Sequence, residues 1–302
     1  MTDPKWLQLI TDRRQSGPVS PSDDAAPRLH QLQGIRAVVF DVYGTLFSSG
    51  VGDISLATEE NRDAALRSVL SANGIALTGA ARGIRLDNAL HGVIHRHQEN
   101  RREEGIEFPE VDIRRVWADF LQELLATGLA ESGATPEIET LVIDYETRIN
   151  PTQPMPGLAP VLASLRERGL ILSIISNAQF YTPLLFEAFL GQSIADLGFS
   201  TEANVWSYVE LEGKPSQQLY RLAAERLHEL HQLRPDQCLY VGNDMRNDIW
   251  PARALGFRTA LFAGDRLSLR RRADHPACKN LSADCEITEL AHITSAILPE
   301  IC

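Results

Sequence analysis

Positive charge is scarce in this chain. Its 302 residues carry 40 acidic side chains against 29 lysines and arginines, for a formal net charge of −11 at pH 7. Nucleic-acid phosphates are bound by clustered lysine and arginine, so the composition argues against a nucleic-acid partner. The one tight basic run, Arg270 to Arg272, is interpreted as a solvated surface segment.

Cysteines are few, and the sequence has no long apolar run. The four cysteines, Cys238, Cys278, Cys285 and Cys302, match no zinc-binding spacing. A chain of this size does not need disulfides, which favours a reducing compartment. The N-terminal residues MTDPKWLQLITDRR lack an apolar signal core, and no stretch is long enough to span a bilayer. We therefore expect a cytoplasmic protein with no membrane partner.

The pattern of apolar residues divides the chain into regions. Residues 1–34 are interpreted as an extension and linker, and IRAVVF, which ends at residue 40, is typical of a buried parallel strand. Residues 48–150 show helical patterns without a strand. Residues 151–302 alternate strands with helices, as in a doubly wound parallel sheet. The prediction is an α/β core formed by 35–47 and 151–302, with a helical insertion at 48–150.

Polar side chains follow several predicted strands at the point where each strand ends. They are Asp41, Tyr43 and Thr45 after the first strand, Ser176 and Asn177 after LILSII, and Asn243, Asp244 and Asp248 after CLYVG. A lysine, Lys214, precedes a predicted crossover helix. Ligands of open parallel sheets bind beyond the carboxyl ends of the strands. Any one of these residues could be a helix cap or turn, but the four segments together indicate a functional site.

Four short motifs lie in these segments. DVYGTLF, IISNA, GKPS and VGNDMRND resemble, in order and spacing, the four motifs of the haloacid dehalogenase-like hydrolase superfamily. The resemblance covers residues 36–47 and about 155–265, and it implies a Rossmann-like core with a helical cap inserted between the first two motifs. It also implies that Asp41 is a covalent nucleophile, with Ser176 and Asn177 beside it. Lys214 would offset negative charge on Asp41 and in the transition state.

The acidic fourth motif predicts a metal ion. Asp244 and Asp248 would lie near Asp41, and three carboxylates at one edge repel one another unless a cation lies among them. Mg²⁺ accepts octahedral oxygen ligands and also binds phosphate. By resemblance, the backbone carbonyl of Tyr43 is a further ligand, so the predicted ligands are Asp41, Tyr43, Asp244 and Asp248.

The first motif departs from that of the superfamily's phosphatases. These enzymes usually carry a second aspartate two residues after the nucleophile, as the general acid and base, and here that position is Tyr43. The dehalogenase branch resembles this chain in having tyrosine there; it uses no metal and needs no acid for a halide leaving group. Tyr43 itself, or a residue of the insertion such as His95 or His97, could take the acid's place.

The insertion also carries candidate substrate-binding residues. The stretch HGVIHRHQENRREEG is interpreted as a solvated helix face or as an anion-recognition surface that uses His95 and His97. Thr45 is a third candidate for substrate binding. The segment from Ser48 to Ser55 is interpreted as a hinge or substrate-facing loop, and hinges are expected near Gly50 and Pro151.

The leading hypothesis is a Mg²⁺-dependent phosphatase that acts on a small phosphorylated metabolite through an aspartyl-phosphate. One alternative is a metal-independent 2-haloacid dehalogenase. Another is a catalytically weak binding or regulatory protein with the same fold. The sequence does not identify the substrate, because cap loops that determine it carry no transferable code. It does not predict the oligomeric state either.

Overall fold

A six-stranded parallel sheet forms the centre of the protein. A computed structural model describes residues 2–23, 25–49, 59–131, 133 and 137–298. Within these ranges the strands are β1 (Ala37–Phe40), β2 (Ile171–Ser176), β3 (Val205–Trp206), β4 (Cys238–Gly242), β5 (Arg258–Phe262) and β6 (Cys285–Ile287). Their order in the sheet is β3-β2-β1-β4-β5-β6, and all neighbours pair in parallel. This is the predicted doubly wound α/β class.

Strand β1 lies inside the sheet, and its register determines where the first motif lies. Phe40 pairs with Ile174 of β2 on one side and with Val241 of β4 on the other. Side chains alternate along the strand, so Val38 and Phe40 pack into one apolar core, while Ala37 and Val39 pack into another on the opposite face. Because the three strands end within two residues of one another in this register, the residues that follow them meet at one edge of the sheet.

Helices cover both faces of the sheet. Those of the described residues are α1 (Pro4–Asp12), α2 (Glu59–Ala72), α3 (Leu86–Glu103), α4 (Ile113–Ala126), α5 (Ile138–Ile149), α6 (Leu158–Glu167), α7 (Leu184–Leu190), α8 (Ser207–Glu210), α9 (Gln217–His231) and α10 (Trp250–Ala254). None of them is long and apolar enough to cross a membrane. The N-terminal helix α1 packs against α5 and α7 through the buried Ile10.

The inserted helices α2 to α5 follow β1 and precede β2 in the chain. Asp112 caps α4, because its side chain accepts a hydrogen bond from the backbone N–H of Arg114. Trp117 of α4 packs edge-on against Tyr145 of α5, and both belong to the same apolar core as Phe40. The predicted domain limits and the hinge at Pro151 stay predictions. The predicted hinge residue Gly50 and most of the segment 48–55 lie outside the described residues.

Two local sequence patterns differ from the structure: LGFS predicts a short strand, and residues 248–255 predict a helix. The segment LGFS, residues 197–200, is not a strand; it contributes only a bridge between Phe199 and Leu172, because Gly198 has a left-handed backbone with φ of +93°. The edge strand is instead Val205–Trp206. The predicted helix at 248–255 begins earlier, as a π-helical turn at Met245–Ile249 that continues into α10.

Candidate active site

Asp41 follows β1 directly and lies at the base of a cavity of about 530 Å³, called here the Asp41 cavity. Its lining includes residues from the strand ends and from the inserted helices: Asp41, Lys214, Asn243, His91, Ile113 and Glu146. The Oδ1 atom of Asp41 accepts hydrogen bonds from Ser176 Oγ at 3.0 Å and from Lys214 Nζ at 2.6 Å. Its Oδ2 atom has no hydrogen-bond partner among the described residues, so one carboxylate oxygen is oriented by the protein and the other is left for a ligand.

Lys214 forms ion pairs with two carboxylates. Its Nζ atom lies 2.6 Å from Asp41 Oδ1 and 2.7 Å from Asp248 Oδ1, and it also donates to Tyr240 Oη at 2.9 Å. Burial disfavours charge on this side chain, but the carboxylates of Asp248 and Asp41 more than compensate and raise the pKa of Lys214 above its ordinary value. The ammonium group is therefore charged at neutral pH.

Asn177 positions the segment that carries Lys214. The backbone N–H of Lys214 donates a hydrogen bond of 2.7 Å to Asn177 Oδ1. The residue before it, Gly213, passes so close that an added Cβ would lie 3.4 Å from the same oxygen. This hydrogen bond holds the second and third motifs together, and it fixes the position of the Lys214 backbone relative to Asp41.

Asp248 turns back toward the end of β4. Its Oδ2 atom accepts a hydrogen bond from the backbone N–H of Asp244 at 2.9 Å, and its Oδ1 atom accepts one from Tyr240 Oη at 3.0 Å. A Cβ at Gly242 would lie 2.5 Å from Asp248 Cγ, so glycine is required there. Burial, opposed by Lys214 and reinforced by Asp41, raises the pKa of Asp248 to about 6, which leaves the group ionised at neutral pH.

Asp244 is an N-cap as well as an ion-pair partner. Its Oδ1 atom accepts hydrogen bonds from the backbone N–H groups of Arg246 and Asn247, at 2.8 and 3.1 Å. Its Oδ2 atom lies 2.7 Å from Arg272 Nη2 and 3.1 Å from Arg272 Nε. Arg272 has a left-handed backbone, with φ of 49°. Arg270 and Arg272 of the basic run line the Asp41 cavity, and the Arg272 side chain is at the same time exposed, as the interpretation of a solvated segment predicts.

These contacts test the predicted magnesium site. Both oxygens of Asp244 and both oxygens of Asp248 already have protein partners, and each carboxylate is paired with a cation, Arg272 or Lys214. No group of three or more histidine, cysteine, aspartate or glutamate side chains in the described ranges is arranged to hold a metal ion. In this arrangement the predicted ligands Asp41, Asp244 and Asp248 do not fit Mg²⁺, because Lys214 and Arg272 supply the cations that the acidic motif needs.

Tyr43 is directed away from the nucleophile. Its hydroxyl lies 3.0 Å from Thr182 Oγ1, and the ring packs against the apolar core. Burial, together with the nearby charges of Glu146 and Asp41, raises the pKa of the Tyr43 hydroxyl well above its ordinary value. A tyrosine held neutral and bonded to threonine is a poor substitute for the missing acid.

Three predicted substrate-binding residues do not line the Asp41 cavity. Thr45 is fully buried and donates a hydrogen bond of 3.2 Å to Asn243 Oδ1, which braces the first motif against the fourth. His95 and His97 line a separate surface cavity of about 510 Å³, where His97 pairs with Asp119. The helix turns these two side chains outward. It is His91, one turn before His95, that lines the Asp41 cavity.

Sequence reasoning missed the half-buried carboxyl groups of the insertion. Glu146 of α5 and Glu110, before α4, both line the Asp41 cavity, as does Tyr181. Burial raises the pKa of Glu146 to about 7, although a hydrogen bond from Tyr181 opposes the shift. Glu146 is one charged residue among several in its helix, and only the packing of that helix shows which of them face inward.

Comparison with known proteins gives a consistent picture. A family model described as haloacid dehalogenase-like hydrolase matches residues 35–256. The glyceraldehyde 3-phosphate phosphatase of Methanopyrus kandleri is 26% identical over 228 residues, which cover 74% of this chain and 82% of that protein. The rhythmically expressed gene 2 protein of Drosophila melanogaster is 29% identical over 156 residues, 48% of this chain and 57% of that one.

A solved structure of a 2-haloacid dehalogenase from Pseudomonas syringae pv. Tomato DC3000 has the same fold. It superposes with a TM-score of 0.53 at 17% identity, covering 86% of this chain and 96% of that chain. The family match spans the strand ends that carry Asp41, Ser176, Lys214 and Asp244, and it includes the inserted helices. The chain therefore belongs to the haloacid dehalogenase-like hydrolases.

Proposed function

We propose that this hydrolase is a phosphatase that transfers a phosphoryl group from a small phosphorylated metabolite to Asp41 and then to water. The observation that carries the proposal is the state of the Asp41 carboxylate. One oxygen is held by Ser176 and Lys214, and the other has no partner among the described residues, at the base of a cavity large enough for a metabolite.

Basic side chains line the Asp41 cavity beside its carboxyl groups, and they support an anionic substrate. Lys214, Arg270 and Arg272 line it from the sheet side, and His91 lines it from helix α3. In a partly enclosed site such groups stabilise a phosphoryl group whose charge is spread over its oxygens. The similarity to the Methanopyrus kandleri phosphatase supports the same reaction class.

The proposed first step is attack of Asp41 Oδ2 on phosphorus, which forms an aspartyl-phosphate. Lys214 would neutralise the carboxylate during the approach of an anionic substrate, and Ser176 would keep its plane fixed. Asn177 acts as a positioning residue, because it holds the backbone of Lys214. Phosphatases of this family generally use Mg²⁺, but here the ion would have to displace Arg272 from Asp244, so none of these steps is assigned to a metal.

We also propose that helices α2 to α5 act as a cap over the site. His91 of α3, Ile113 of α4 and Glu146 of α5 share the cavity with Asp41. A cap in this place would exclude water from the attack on phosphorus and would select the substrate.

Asp41→Asn tests the covalent step. The amide has the same shape but is not nucleophilic, so phosphate release from a panel of phosphate esters should be abolished while the thermal melt stays cooperative. Asp236→Asn is the matched control, because Asp236 is an exposed aspartate that pairs with Arg234 in a surface turn. An Asp41→Asn activity within about tenfold of the parent would refute the covalent mechanism.

A second candidate function, 2-haloacid dehalogenation, is favoured by Tyr43. A tyrosine at this position supplies no carboxylic acid, and its hydroxyl is hydrogen-bonded to Thr182. A halide leaving group needs no acid. The test is chloride release from both enantiomers of 2-chloropropionate, measured on the same preparation as the phosphate panel. Chloride release without phosphate release would replace the phosphatase proposal. An absence of both activities would favour a binding or regulatory role.

A further inference from the structure

The inserted helices bring a carboxyl group to the Asp41 cavity that no motif contains. Glu146 lies in the last turn of α5 and lines the cavity together with Asp41 and Tyr43. Its Oε2 atom accepts a hydrogen bond from Tyr181 Oη at a long 3.4 Å. Within the described part of the chain, neither of its oxygens has another hydrogen-bond partner. A half-buried carboxyl group that is this weakly satisfied, and that faces a cavity, is available to a ligand.

Tyr43 is near both this carboxyl group and the nucleophile, because the charges of Glu146 and Asp41 both act on its hydroxyl. Glu146 lines the cavity from the inserted helices, and Asp41 lines it from the end of β1. A substrate whose phosphorus rests on Asp41 would direct its leaving group away from the sheet, toward the inserted helices, because attack and departure are in line.

The environment of Glu146 suits proton transfer at neutral pH. Burial raises the pKa of its carboxyl group to about 7, and the hydrogen bond from Tyr181 limits the rise. The tyrosines on which its charge acts are Tyr43, Tyr145 and Tyr181, whose own pKa values are raised, so all three stay neutral. Besides Asp41 and the acidic motif, the other charged or titratable groups that line the cavity are His91, Glu110, Lys214, Arg270 and Arg272. A general acid is most effective when its pKa is near the working pH.

Glu110, the other half-buried carboxyl group that the insertion brings to the cavity, is already bound by the protein. Its Oε1 atom accepts a hydrogen bond from the backbone N–H of Val111 at 2.9 Å. Its Oε2 atom accepts one from Ser207 Oγ at 3.3 Å, and Ser207 in turn accepts from the backbone N–H of Ala178. This carboxyl group fastens the residues before α4 to the sheet edge, so it is less available for catalysis than Glu146.

We propose that Glu146 is the general acid and base of this enzyme and replaces the aspartate that family phosphatases carry at position 43. The assignment rests on the proposed phosphatase function. In the first step Asp41 Oδ2 forms a bond to phosphorus, the bond from phosphorus to the leaving oxygen breaks, and Glu146 gives that oxygen its proton. In the second step water attacks phosphorus and gives a proton to the Glu146 carboxylate. The bond from phosphorus to Asp41 breaks, which releases phosphate and restores both carboxyl groups.

The test compares Glu146→Gln with the parent on two kinds of ester. Alkyl phosphates have poor leaving groups, so kcat should fall by about 10²–10³-fold with little change in KM. The leaving group of p-nitrophenyl phosphate is p-nitrophenolate, which departs without a proton. The burst of p-nitrophenolate from the first step should therefore persist in the variant, while steady-state turnover, which depends on the second step, slows. Glu139→Gln is the matched control, because it makes the same change seven residues earlier in α5, outside the cavity. Its kinetics should match those of the parent.

A shorter acid provides the rescue. Glu146→Gln should lose the limb of the kcat–pH profile that reports the Glu146 carboxyl group. Glu146→Asp keeps a carboxyl group, so it should retain that limb, with a lower kcat than the parent. It also tests the proposal if Glu146→Gln fails to fold. Turnover of alkyl phosphates by Glu146→Gln within about threefold of the parent, or an unchanged pH profile, overturns the assignment of Glu146 alone. A parent enzyme that hydrolyses no phosphate ester overturns the phosphatase function and this assignment together.

Discussion

Replacement of Arg272 by glutamine should increase the affinity of the protein for Mg²⁺. Arg272 pairs with the Asp244 carboxylate at 2.7 Å, and that carboxylate is a predicted ligand of the ion. Glutamine keeps a polar side chain but removes the positive charge. The ion then no longer has to displace a bound guanidinium from Asp244, and it no longer meets a neighbouring positive charge.

The size of the effect follows from the geometry and exposure of the pair. A hydrogen bond to a charged group contributes about 1.5–3 kcal/mol. The Arg272 side chain is 37% exposed and that of Asp244 is 8% exposed, so solvent screens part of the interaction. A discounted value of about 1–2 kcal/mol corresponds to a Mg²⁺ dissociation constant that is lower by roughly 5–30-fold.

Calorimetric titration of Mg²⁺ into the parent and the variant measures this difference directly. Arg271→Gln is the matched control, since it removes the same charge one position away, from a side chain that pairs with Glu286. The reasoning is refuted if Arg272→Gln binds Mg²⁺ no more tightly than Arg271→Gln does. A parent that already binds Mg²⁺ at low micromolar concentration, with no gain in the variant, would show that the ion displaces Arg272 at negligible cost.

Two further predictions concern buried charge and stability. Lys214→Met should destabilise the fold by about 3–5 kcal/mol in urea unfolding, because it leaves the carboxylates of Asp41 and Asp248 buried without their shared cation; an unchanged midpoint would contradict the pairing. The raised pKa of Glu146 predicts a pH-dependent cost. The unfolded chain loses this proton near the ordinary pKa of 4.5, but the folded protein keeps it up to about 7, so the ionised group costs at most about 3 kcal/mol above that pH. Glu146→Gln should therefore melt at a higher temperature than the parent near about pH 8 and at the same temperature near about pH 4.5; an equal difference at both pH values would contradict the raised pKa.

The sequence predicted the sheet core well because buried parallel strands have a strong local signal. The strand ends at Phe40, Ser176 and Gly242 fall where the apolar runs stop. The signal was weak for short edge strands. Val205–Trp206 has two residues, and in Cys285–Ile287 the middle residue is half exposed, so neither forms a recognisable run.

The candidate site was predictable where a residue follows a strand and unpredictable where it depends on packing. The parallel register brings Asp41 and Ser176 together, and Lys214, which precedes a helix, contacts the same oxygen of Asp41. Arg272 reaches the same place because residue 270 forms a bridge with Asp244 beyond the end of β4. That long-range pairing has no local pattern, and neither has the rotation of α5 that turns Glu146 inward.

The position of β1 in the sheet also bears on how the protein folds. Ala37–Phe40 pairs with β2 and β4, and the whole helical insertion separates it from both along the chain. Pairing across so many intervening residues requires the closure of long loops before any contact is gained, which slows folding. During synthesis this apolar strand leaves the ribosome early and stays unpaired until β2 emerges. An unpaired strand of this kind is prone to aggregation, so early folding of the inserted helices, which share a core with Phe40, would shield it.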